Sequence, residues 1–78
     1  MNNEETVPQE DLQPELTARD IAEKLWNIMS EDEEKAHGSK RLAEMAGIPE
    51  EASRVLQVLK LLRDNGKVTF KNGKWFKA

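Results

Sequence analysis

The hydrophobic period of this chain changes at Gly66, and this change restricts the possible fold more than any other feature. Before it, apolar residues recur at the three- and four-residue spacing of a helix with one buried face. After it, apolar and polar residues alternate, which is the pattern of a half-buried strand. The chain is therefore predicted to end in a helix followed by β-structure.

The dipeptide Asn72-Gly73 divides the alternating segment, and Asn-Gly is a preferred loop of type I′ hairpins. With these two residues as the loop, Phe70 lies opposite Trp75 and shares a face with it. We expect that face, which also includes Val68, to close the core. The opposite face is predicted to carry Thr69, Lys71, Lys74 and Phe76.

Three helices are predicted before the hairpin. Thr17 followed by Asp20 has the form of an N-cap with an acidic residue in the first turn, so the first helix is expected over residues 18–29. Ser30 begins another capping signature, so the helix either ends in a bend there, which we favour, or continues to Gly38. The second helix is expected over residues 40–46, with Ser39 as its cap and Gly47 as the left-handed residue after its end.

The third helix, over residues 50–65, has the clearest periodicity. Its predicted buried face consists of Ala52, Val55, Leu56, Leu59 and Leu62. At 78 residues, with 37% hydrophobic and 35% charged side chains, the chain has enough apolar material for one small core. The predicted fold is one small, mostly α domain of the α+β class.

Charge is divided unevenly along the chain. Residues 1–36 carry eleven acidic and three basic side chains, whereas residues 37–78 carry four acidic and nine basic ones. Residues 1–16 include Pro8, Pro14 and five carboxylates, which predicts a disordered acidic tail before a domain over residues 17–78. The basic second half favours an anionic partner, although two solvated ends that attract each other explain the same charge division.

Several classes of chemistry find no support in the sequence. Cysteine is absent and His37 is the only histidine, so no zinc ligand set and no nucleophilic site is predicted. We expect no enzyme activity, no cofactor, no metal and no small-molecule ligand. No apolar run is long enough for a membrane span, and the first residues lack a signal-peptide pattern, so a cytoplasmic location is predicted.

The order of these elements, and two short segments, resemble the winged helix-turn-helix family. The segment SKRLAEMAGIP at residues 39–49 is similar to the first helix and turn of the family's motif. The segment LRDNGKV at residues 62–68 is similar to its link between recognition helix and wing. The resemblance covers residues 17–78 and implies a three-helix winged-helix domain whose hairpin is the wing.

In this family the third helix usually enters the major groove of DNA, while the wing meets the phosphate backbone. The resemblance therefore implies a double-stranded DNA-binding protein, a transcriptional regulator or an accessory factor. Arg54 and Gln57 are chemically suited to read guanine and adenine, although both also fit ordinary solvated positions. The DNA-binding candidates are Lys40, Arg41, Ser53, Arg54, Gln57, Lys60, Lys71, Asn72 and Lys74.

Two features of the third helix favour a different function. Glu50 and Glu51 suit the helix dipole at its start but repel phosphates. Val58 and Leu61 lie off the predicted core face and, with Phe76, form a candidate interface for a protein partner or a homodimer. The alternative function is thus a winged-helix protein-interaction module without DNA binding. RNA stacking on Phe76 among lysines is a third possibility.

Overall fold

The structure, a computed structural model, describes residues 16–78 and has the predicted order of elements. Three helices, α1 (Ala18–Ile28), α2 (Ser39–Met45) and α3 (Ala52–Asp64), precede an antiparallel hairpin of β1 (Val68–Lys71) and β2 (Lys74–Lys77). This confirms the mostly helical α+β class and a winged-helix-like layout. Of the acidic tail predicted over residues 1–16, all but Leu16 lies outside the described residues.

Local capping interactions fix the ends of α1. The Thr17 N–H donates to the Asp20 carboxylate and the Asp20 N–H donates to the Thr17 hydroxyl, both at 3.1 Å, so the predicted N-cap is confirmed as a reciprocal capping box. The helix ends at Ile28, and Met29 is extended. The bend predicted at Ser30 is therefore confirmed, and a single 3₁₀ turn (Glu33–Lys35) follows it.

The turn between α2 and α3 contains the left-handed glycine that the sequence predicts. Gly47 has a φ of 80°, and the Ile48 N–H donates to the Ala43 carbonyl at 2.9 Å, which closes a Schellman motif. A 3₁₀ turn (Pro49–Glu51) then leads into α3, so the α-helix begins two residues later than predicted. Pro49 occupies the first position of this turn, where its missing N–H costs no hydrogen bond.

Ser39 is not the cap of α2, contrary to the prediction. Gly38 occupies the N-cap position without a side-chain hydrogen bond, and Ser39 is already the first helical residue. The cause lies outside the helix. The backbone of His37 pairs with Trp75 of β2 and accepts its N–H at 2.8 Å, so the chain is extended up to Gly38.

The segment between α1 and α2 thus lies along the outer edge of β2. Besides the His37 contact, the Lys77 N–H donates to the Ser30 carbonyl at 2.8 Å. These two bonds, one of which belongs to an isolated β-bridge, attach the segment to the two-stranded sheet. The sequence pattern did not reveal this contact, because the segment has no alternating period. The two bonds fix the hairpin relative to the helices.

The core lies between the three helices and one face of the hairpin. Its fully buried side chains come from each helix, namely Ile21, Leu25, Leu42, Ala43, Val55 and Leu59. Val68 and Trp75 close it from the hairpin, as predicted. Among the described residues, no polar or charged side chain is buried, so this core is held by apolar packing.

Two predictions about this core are wrong. Phe70 shares the inner face of the hairpin but is 45% exposed, because it lies nearer the turn. Its ring packs against that of Trp75 at a tilt of 42°, with ring centroids 4.4 Å apart. Val58, predicted to lie at the surface, is only 5% exposed. Val58 joins the core because α1 and α2 both pack on α3, and together they bury a wider face of this helix than the sequence predicted.

Candidate nucleic-acid interface

The outward face of α3 is polar over its first two turns. Ser53, Gln57 and Lys60 are exposed and recur at spacings of four and three residues, so they lie in one row along the helix. This row is opposite the buried Val55 and Leu59. The arrangement leaves one hydroxyl, one carboxamide and one ammonium group available to a ligand on this face.

Arg54 lies beside this row and is half-buried. Its guanidinium forms an ion pair with Glu51 at 3.5 Å, one turn earlier. Because a partly exposed pair of this kind contributes little to stability, exchange of Glu51 for another acceptor costs little free energy. The terminal nitrogen of Arg54 that contacts Glu51 is therefore available to a ligand only in exchange for Glu51, while Gln57 has no such contact within residues 16–78.

The hairpin tip consists of Lys71, Asn72, Gly73 and Lys74, all exposed. Asn72 and Gly73 both have positive φ, 56° and 78°, which is the geometry of the predicted type I′ turn. This turn places Lys71 and Lys74 as directly opposed partners across the two strands. Two like charges in that position repel each other, so the tip concentrates positive charge at a small energetic cost.

One of the two lysines is already paired with a carboxylate. The Lys71 ammonium lies 3.3 Å from the Glu33 carboxylate, in the 3₁₀ turn before α2. For Lys74, the described part of the chain provides no ion-pair partner. Glu33 is not among the predicted site residues, although its place in a run of four carboxylates, Glu31 to Glu34, was a signal that it needed a basic neighbour.

Of the two basic residues of α2, as of the two lysines at the hairpin tip, one is paired with a carboxylate. Lys40 and Arg41 are exposed, and Arg41 forms an ion pair with Glu44 at 3.3 Å. Lys40 has no carboxylate within ion-pair distance among residues 16–78. The predicted cations are thus distributed over α2, α3 and the hairpin tip, and three of them have carboxylate partners that a phosphate must displace.

The predicted apolar interface does not form as a strip. Val58 is part of the core, and Phe76 is half-buried opposite Thr69. Only Leu61 remains, with 57% of its surface exposed. Half-burial also makes Phe76 a poor platform for stacking an RNA base.

Metal and membrane chemistry gain no support from the described residues. Residues 16–78 contain no cluster of three or more side chains suited to hold a metal ion. Within the same range, each helix is too short or too polar to span a bilayer.

Comparison of the chain with models of protein families, with curated proteins and with solved structures found no match.

Proposed function

We propose that this protein binds double-stranded DNA, with α3 in the major groove and the hairpin tip against the phosphate backbone. The observation that carries the proposal is the opposed pair of Lys71 and Lys74 at the tip of a hairpin that follows a polar helix face. A phosphate between two such lysines relieves their mutual repulsion and accepts hydrogen bonds from both.

The polar row on α3 has the chemistry that base readout requires. The major groove accepts a helix, and the carboxamide of Gln57 can pair with the exposed edge of adenine. Arg54 can pair with guanine once Glu51 is released. Ser53 and Lys60 add contacts at the two ends of this row.

Positioning contacts come from the neighbouring elements. In this proposal Lys40 and Arg41 of α2 and the hairpin tip, including the Asn72 amide, supply donors to backbone phosphates. Glu50 and Glu51 oppose binding, and Glu51 loses its ion pair when Arg54 turns to a base. We infer a role as a transcriptional regulator or accessory factor in the cytoplasm.

An amide chemical-shift titration of the ¹⁵N-labelled chain with a short mixed-sequence duplex tests this proposal at low and then physiological salt. We expect shifts at Arg54, Gln57 and residues 71–74 that become smaller as salt screens the phosphate contacts. Shifts confined to α1, or no shifts at low salt, would contradict the proposal.

A matched pair of variants separates readout from overall charge. Arg54→Ala should weaken binding and relax the preference at one base pair, at a cost of about 1–3 kcal/mol. Arg19→Ala removes the same charge from the exposed surface of α1 and should leave the base preference unchanged. Equal losses in the two variants would show that Arg54 reads no base.

The exposure of Leu61 favours one alternative, a protein-interaction surface on the outward side of α3. A partner or second copy that buries this side chain gains hydrophobic free energy. Sedimentation at increasing concentration, compared between the parent chain and Leu61→Lys, tests it. A monomer at all concentrations, with no partner lost on substitution, would leave DNA binding as the better account.

A further inference from the structure

A shallow groove lies on the side of the molecule where α1 crosses the end of α3. It has a volume of about 390 Å³ and is lined by Arg19, Trp26, Leu62 and Lys67, among others. Lys67 is exposed at the open end of the hairpin, about 13 Å along the strand from Lys71. The groove is therefore separate from the hairpin tip.

The groove combines an exposed aromatic ring with an excess of positive charge. Trp26 is 40% exposed, and the Lys77 ammonium lies 4.5 Å from the centroid of its ring. Arg19 and Lys67 add two more cations, whereas Glu23 is the one carboxylate among the lining residues that the structure describes. A peptide with carboxylates and an apolar side chain fits this surface, because the cations attract the former and the indole packs against the latter.

We propose that residues 1–15 of this chain occupy the groove. This segment contains five carboxylates, Glu4, Glu5, Glu10, Asp11 and Glu15, and no lysine or arginine. It joins the described structure at Leu16, which lines a neighbouring cavity. That cavity shares Glu23 and Asn27 with the groove, so the segment enters the structure directly beside its binding surface.

Leu12 of this segment is close enough along the chain to reach Trp26. Leu12 is four residues before Leu16, which gives a reach of up to ~14 Å in extended chain. Trp26 is ten residues after Leu16, about 15 Å at the rise of a helix, and the indole is inclined back toward the start of α1, so the two side chains cover the remaining distance. If the segment runs back along α1, Leu12 packs against Trp26, and Glu10 and Asp11 lie beside Lys67 and Lys77. Attachment to the same chain favours this occupant over a separate peptide, since it raises the local concentration.

A spin label on the segment tests this arrangement in the full chain. Because the chain has no cysteine, Thr6→Cys provides a single attachment site. We expect the oxidised label to broaden the indole signal of Trp26 and the amide signals of Lys67 and Lys77, relative to the reduced label. The broadening should be lost when Glu10, Asp11 and Glu15 are replaced by Gln, Asn and Gln, since the attraction is then removed.

Three outcomes would overturn the proposal. Broadening that is unchanged in the neutralised segment shows chance proximity, and broadening at Ser53 and Lys74 shows that the segment covers the proposed DNA surface instead. Broadening of an unlabelled ¹⁵N chain by a labelled ¹⁴N chain shows that a second copy is the occupant. None of these measurements includes DNA, so their outcome is independent of the duplex titration.

Discussion

At the scale of single residues, the ion pair between Lys71 and Glu33 neutralises one of the two cations at the hairpin tip, which the proposed function places against DNA. Glu33→Gln removes the carboxylate that competes with phosphate, so we expect tighter duplex binding. An exposed pair is worth up to about 1 kcal/mol, which corresponds to an increase of up to about fivefold. Fluorescence anisotropy with a labelled duplex measures this effect.

Glu31→Gln is the matched control, because it removes the same charge from the same segment without breaking the pair with Lys71. It should raise the affinity less than Glu33→Gln does. If both variants raise it equally, the general field of the acidic segment, and not the ion pair, limits binding.

The capping box of α1 makes a second residue-scale prediction, about pH. The hydrogen bond from the Thr17 backbone, followed by that from its hydroxyl, holds the pKa of Asp20 below its ordinary value. A carboxyl group with a lowered pKa stabilises the folded state above its unfolded pKa, and this stabilisation is lost as pH falls through the folded pKa. We therefore expect the stability difference between the parent chain and Asp20→Asn to shrink below about pH 4. Urea unfolding at pH 7 and at lower pH measures it, and a constant difference would contradict the role of the carboxylate.

At the scale of elements, the sequence predicts those caps, turns and strand pairings that depend on residues close together in the chain. The capping box at Thr17, the left-handed turn at Gly47 and the pairing of Phe70 with Trp75 are confirmed, since each depends on residues close together in the chain. The pairing of His37 with Trp75 and the burial of Val58 were missed. Both depend on how distant elements pack, which periodicity within one element does not encode.

The hairpin turn itself gives a prediction at this scale. Gly73 has a φ of 78°, and a Cβ atom at this position would meet no neighbour within 4 Å, so substitution costs only backbone conformational energy. Gly73→Ala should destabilise the fold by about 1–2 kcal/mol. Gly73→Asn should cost less, because asparagine tolerates this conformation, as Asn72 does with its φ of 56°. Urea unfolding compares the two, and equal losses would contradict the conformational explanation.

At the scale of the whole molecule, the exposed position of most candidate residues was predicted but their charge balance was not. The positions of Ser53, Gln57 and Lys60 on an exposed face follow from the helical period alone. The pairing of Lys71 with Glu33 joins residues that are 38 positions apart, so it depends on the hairpin lying beside the segment before α2. The effective charge of the interface is therefore a property of the tertiary structure and not of the count of lysines.

Because Lys71 is paired with Glu33 and Lys74 is unpaired among the described residues, we expect the two lysines to contribute differently to the salt dependence of DNA binding. Each phosphate neutralised by a free cation adds about 0.9 to the slope of log affinity against log salt. Lys74→Ala should therefore reduce the slope by about 0.9, whereas Lys71→Ala should reduce it less, because Lys71 must exchange Glu33 for a phosphate. Affinities measured across a salt series give both slopes. Equal reductions would show that the Lys71–Glu33 pair is already open in the free protein, and unchanged slopes would show that the hairpin tip does not contact the backbone.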